Sequence, residues 1–123
     1  MSVQAIIPNG QALTGDIDLR GQRLIGVIFS AAWTAAALSF QVADTTASAA
    51  GAVPGTYGEA FGDPGSGTAT ALAMGAAAGQ VTMFTQGNRI IENCFCKIRS
   101  GTSGTPVNQG GARTLTLLTI PSR

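Results

Sequence analysis

Apolar and polar residues alternate along short stretches of the chain, and each stretch closes on turn residues. In ALSFQVA (37–43), Leu38, Phe40 and Val42 fall on one face of an extended strand and Ser39 and Gln41 on the other, because successive strand side chains point to opposite sides. SVQAII (2–7) ends at Pro8-Asn9-Gly10, ALTGDIDL (12–19) ends at Arg20-Gly21, and RLIGVIF (23–29) runs into SAAWTAA. TYGEAF (56–61), TATALAM (68–74), QVTMFT (80–85), IENCFCKIR (91–99) and ARTLTLLTI (112–120) are the later strand candidates. Strands of about five to eight residues spaced by Gly, Pro and Asn turns predict an all-β sandwich or barrel. About eight or nine of them lie within jelly-roll range. The expected fold is therefore a jelly-roll-like antiparallel β-sandwich of about eight strands.

Two alanine-rich stretches, SAAWTAAA (30–37) and AMGAAAG (73–79), interrupt the alternation. Alanine favours helix, but neither stretch is long enough to stand as an isolated helix, so both read as tight connections. ADTTASAAGAVPG, covering the loop at 44–55, has no apolar periodicity and reads as a long surface loop. The 123 residues suit one domain, residues 1–123, with a modest core.

Charge narrows the function. Charged residues make up 11% of the chain and leave a formal charge of +1, against about 25% charged in an average protein. A sparsely charged, nearly neutral surface is weakly kept apart from other surfaces, and a nucleic-acid binder needs a clustered basic face to displace counterions. The composition favours life inside an assembly, with no nucleic-acid partner. No apolar stretch approaches the roughly 20 residues of a membrane span, and no basic-then-apolar leader opens the sequence, so the expectation is cytoplasmic synthesis and no membrane.

The residue inventory is poor in chemistry. Histidine is absent, which removes the commonest neutral-pH base and metal ligand. Asp16 and Asp18 form an i, i+2 pair on a strand, while Asp44, Glu59, Asp63 and Glu92 are scattered among turn residues, where Asp in particular is favoured. GDPGSG (62–67) is followed by neither a lysine nor a helical pattern and reads as a loop, not a phosphate cradle. No enzyme, cofactor or metal site is expected. Cys94 and Cys96 fall on one face of a strand with Ile98, at a Cα spacing of roughly 6.5–7 Å that strains an ordinary disulfide, and no second CxC completes a four-ligand zinc site. They read as buried small apolar residues, the alternatives being a metal site or disulfide shared with another chain.

The opposite face of that strand carries Phe95, Lys97 and Arg99. An aromatic flanked by long cations on a solvent-facing side is the make-up of a contact patch, unless another sheet, a loop or a strand edge covers it. Trp33, in a connection of small residues, reads first as a core anchor and second as an interface residue. Arg20 and Arg23, bracketing a turn, complete the candidate interface.

IDLRGQRLIGVIFSAAWTAAALSFQVAD (17–44) and FCKIRSGTSGTPVNQGGARTLTLL (95–118) together resemble small virion proteins of tailed bacteriophages similar to capsid decoration or cement proteins. The resemblance spans about the outer two-thirds of the chain. It lies in the AAWTAA turn leading into an LxF strand, the K-I-R-S-G exit from a late strand, and the closing Q-x-x-x-R-T-L-T-L strand from Gln109 to Leu117. It implies a jelly-roll or similar β-sandwich on the capsid surface of the virion, with the major capsid protein as partner and synthesis in the bacterial host cytoplasm.

Such a protein needs no catalytic residue, and its weak contacts are multiplied by effective concentration across a repeating lattice. The alternative is a carbohydrate-binding β-sandwich module of a phage head or tail fibre, which would need clustered surface aromatics with carboxamide or acidic partners. Unprotected strand edges in a neutral chain predict self-association as a dimer or trimer, with the first strand reaching onto a neighbour.

Overall fold

The computed structural model describes residues 2–43, 45–48, 51–59, 73–74, 79–83, 91–102 and 104–121. Among these the chain is all β, with no helix. The strands are β1 (Ser2–Ile7), β2 (Ile17–Asp18), β3 (Gln22–Ile28), β4 (Leu38–Ala43), β5 (Thr45–Ser48), β6 (Gly51–Pro54), β7 (Gly58–Glu59), β8 (Ala73–Met74), β9 (Val81–Met83), β10 (Phe95–Ser100) and β11 (Arg113–Pro121). One sheet has the order β1-β11-β3-β9; a second has β2-β10-β4-β7, with β8 also on β4; β5 and β6 form a separate hairpin. Every pairing is antiparallel.

The chain alternates between sheets, β1 and β3 in the first and β2 and β4 in the second, then β9, β10 and β11 in first, second and first. Both sheets turn their inner faces into one apolar cluster. Ile7, Leu24, Val27, Leu115 and Leu117 come from the first sheet, and Ile17, Leu38, Phe40, Cys96 and Ile98 from the second. Covering a side chain the size of Phe40, which is fully buried, contributes about 2–3 kcal/mol.

The expected turns form for the expected reason. Pro8–Gln11 and Leu19–Gln22 each close with an N–H···O=C bond, of 3.1 and 3.0 Å, and Gly10 and Gly21 supply the positive φ at the third position, which only glycine adopts without strain. The 30–37 connection is a tight turn, as expected: the Trp33 N–H donates to Ser30 O at 3.2 Å and the indole N–H to Ala36 O at 3.1 Å. Residues 75–78 of the second alanine-rich stretch, 60–61 of TYGEAF, 68–72 of TATALAM and 84–85 of QVTMFT lie outside the described residues.

Three expectations need correction. The 44–55 stretch holds a hairpin, with Thr46 opposite Val53 and Ala47 opposite Ala52; two strands can pair through backbone bonds alone, so the missing apolar periodicity did not exclude them. The 12–19 stretch is strand only at Ile17–Asp18. Upstream, the Ile98 N–H donates to Thr14 Oγ1 at 3.0 Å, so a hydroxyl stands where a ladder carbonyl would be. The 91–99 strand begins at Phe95, because Asn93, at φ +54°, breaks the extended run.

Candidate interaction surfaces

Residues directly opposite in an antiparallel pair share a face. Phe95, Lys97 and Arg99 lie opposite Ala43, Gln41 and Ser39, and Cys96 and Ile98 lie opposite Val42 and Phe40. The strand's faces are therefore as expected, with Cys96 inward and the Phe95 row outward. Cys96 is fully buried, and burial pushes its thiol up from the ordinary 9.0; Cys94 is half-buried and packs against the core.

The row is not an open patch, however. Phe95 is only 6% exposed. The Arg20 guanidinium carbon sits 5.1 Å from its ring centroid, a cation–π contact. Asp18 holds Arg20 there, with its carboxylate accepting from Nε at 2.9 Å and from Nη2 at 2.6 Å and also from the Arg20 backbone N–H at 3.0 Å. The same hydrogen bonds hold the Asp18 carboxyl below its usual range. Arg99 is buried beside Ser39 Oγ, at 3.4 Å. Lys97 Nζ lies 4.5 Å from the Tyr57 ring centroid and 3.9 Å from Asp16 Oδ1, and the Tyr57 hydroxyl donates to Asp16 at 2.8 Å. Among the described residues, the aromatic rings on this face, Phe95 and Tyr57, are thus each already in contact with a cation that faces a carboxylate.

The remaining candidates disperse. Trp33 is a core anchor, buried with its ring edge-on to Phe29 at a centroid distance of 5.2 Å. Arg20 belongs to the second sheet's outer side, whereas Arg23, half-buried, lies on β3 of the first sheet opposite Ile120. The six residues do not form one surface.

The exposed apolar surface is on the other sheet. Ile6, Val81, Met83 and Ile120 are the large apolar side chains most exposed among the described residues, at 54%, 51%, 46% and 42%. Registers place all four on the outer face of the first sheet. Ile6 is opposite Thr114; Ile28 is opposite both Thr116 and Val81; Gly26 is opposite both Leu118 and Met83; Ile120 is opposite Arg23. The inner face takes the intervening positions, such as Val27 opposite Leu117 and Leu117 opposite Val3. Among the described strands, Arg23 is the charged residue on this outer face. The sequence carries a signal for it in adjacent apolar pairs, Ile6-Ile7, Val27-Ile28 and Leu117-Leu118: neighbours in a strand point to opposite faces, so such pairs make both faces apolar.

The three motifs behind the phage resemblance meet at one point. Gln109, buried, accepts the Thr34 N–H at 2.8 Å and donates to Thr34 O at 3.2 Å and to Ser100 Oγ at 2.6 Å. The AAWTAA turn, the end of KIRSG and the start of QxxxR are thereby tied together. Gly101, at φ +91°, donates its N–H to Ala37 O at 2.7 Å. A Cβ there would meet Thr105 O and would lie 2.8 Å from Val107 N, so the exit of β10 requires glycine.

No family model, curated protein or solved structure matches the chain.

Proposed function

We propose that the chain is a jelly-roll-like β-sandwich of about eight strands that serves as a non-enzymatic structural component of a tailed-phage virion, a decoration or cement protein on the capsid exterior. The strand pairing supports this fold. β1 pairs with β11, β2 with β10, β3 with β9, and β4 with β7 and β8. This first-with-last order arises when one long antiparallel hairpin is rolled up, and β11 on β3 with β10 on β4 are the contacts the rolling adds. Double-sheet jelly rolls of this kind occur in viral capsid and lectin domains.

The observation that carries the function is the outer face of the first sheet, where Ile6, Val81, Met83 and Ile120 stand exposed with Arg23 as the charged neighbour. Covering each half-exposed side chain gains on the order of 1 kcal/mol. Four such gains reach only the lower end of the roughly 4–15 kcal/mol lost in association. One copy alone binds weakly through this face, and a dimer or trimer that engages several capsid sites at once makes the binding firm. The major capsid protein is the partner.

The test is co-sedimentation with emptied, expanded capsids of the phage that encodes the chain. Binding supports the reading. Binding to a glycan but not to capsids would replace it with the fibre module.

A further inference from the structure

We infer that β1 is a self-pairing edge: two copies of the chain join β1 to β1 antiparallel about a two-fold axis, making one continuous sheet from their first sheets. β1 is terminal in its sheet, hydrogen-bonded to β11 on one side, and the other side presents backbone N–H and C=O groups with no strand partner among the described residues. Isolated edges are normally blunted by lysine, proline, a bulge or a covering segment. The six residues SVQAII contain no charge and no proline, and their register with β11 is unbroken. β2, on the same side of the molecule, is only two residues long, and between β1 and β2 lies a groove of about 370 Å³ lined by Val3, Ala5, Thr14 and Ile17 together with Asp16 and Asp18, whose carboxylates face Lys97 and Arg20.

A second copy of β1 is the occupant that fits. Ala5 and Ile7 are buried inward while Gln4 and Ile6 are exposed outward. An antiparallel pair centred on Ala5 sets Val3 opposite Ile7 and Gln4 opposite Ile6, so inward residues meet inward residues along the whole strand and no like charges oppose. The two-fold axis then stands perpendicular to the sheet. It leaves both apolar outer faces on the same side, as one doubled surface, and brings the two grooves together.

The experiment is sedimentation velocity on the purified chain over a micromolar concentration series, so its result is separate from capsid docking. The parent should sediment as a dimer. Gln4→Lys/Ile6→Lys sets lysines directly opposite each other twice and should weaken the dimer by about tenfold or more, while Val81→Lys/Met83→Lys, at the opposite edge of the sheet, should leave it intact. A monomeric or trimeric parent, or a dimer indifferent to the β1 lysines, would overturn the inference. If the β1 variant does not fold, amide exchange on the parent decides: slow exchange at alternate β1 N–H groups that is lost on dilution supports the pairing, and uniformly fast exchange at them refutes it.

Discussion

The side-chain amide of Gln109 bonds both backbone groups of Thr34, accepting its N–H at 2.8 Å and donating to its carbonyl at 3.2 Å. A side chain thus imitates a strand partner across 75 residues of sequence, and a further donated bond of 2.6 Å ties Ser100 Oγ into the same point.

Gln109→Ala should lower stability by about 2–3 kcal/mol, since the groups it leaves are half-buried or buried and water replaces the amide incompletely. Gln109→Glu keeps the acceptor for Thr34 N–H but loses both donated bonds when ionised. Urea titration should find it as unstable as the alanine variant at neutral pH and partly recovered at acid pH, where the protonated carboxyl donates again.

The buried Cys96 thiol should react slowly with a thiol reagent until the chain unfolds, because the thiolate is the reactive form and burial disfavours it. Cys96→Ala should cost on the order of 1 kcal/mol. Rapid labelling of two thiols in the native state, or one zinc per chain by elemental analysis, would contradict the buried assignment.

Alkaline pH should destabilise the fold. Burial raises Cys96 above its ordinary 9.0, and burial together with the hydrogen bond to Asp16 raises Tyr57 above its ordinary 10.0. Both groups bind protons more tightly when folded. Their contribution is complete below the unfolded-state values and is lost as pH rises past them toward the folded ones. Chemical denaturation should show stability declining above pH 9.0, the ordinary thiol value, with a shallower decline in Cys96→Ala and Tyr57→Phe.

Phe95→Ala should act on folding rather than on partner binding. The ring is buried beneath Arg20, and emptying its site should cost about 3 kcal/mol in a thermal or urea melt. A variant as stable as the parent would mean the ring is not packed as described.

The strands that bury one stripe are legible in the sequence. SVQAII is β1 to the residue, and ALSFQVA and ARTLTLLTI bracket β4 and β11 within a position or two, because their alternation and flanking turns agree. Other features depend on contacts far apart in the chain. Nothing local in ALTGDIDL says that Thr14 Oγ1 will take a ladder bond from Ile98, and nothing around Phe95 says that Arg20 will cover it. The 45–54 hairpin shows no stripe of its own to read. Phe95 among cations has the make-up of a contact patch in the sequence, yet its ring is buried beneath Arg20, while the exposed apolar face is signalled by Leu117-Leu118 and Ile6-Ile7, whose neighbouring apolar residues imply a second apolar face.

Capsid co-sedimentation of the parent, Val81→Lys/Met83→Lys and Lys97→Ala, at low and high salt, tests the central claim most directly. If the outer face of the first sheet is the docking surface, the parent co-sediments with little dependence on salt, since the face is nearly uncharged. The β9 double variant, folded by near-UV circular dichroism, should bind at least about tenfold more weakly, and Lys97→Ala should bind as the parent does. A parent that stays in the supernatant, or a folded β9 variant that sediments with capsids as well as the parent, would contradict it.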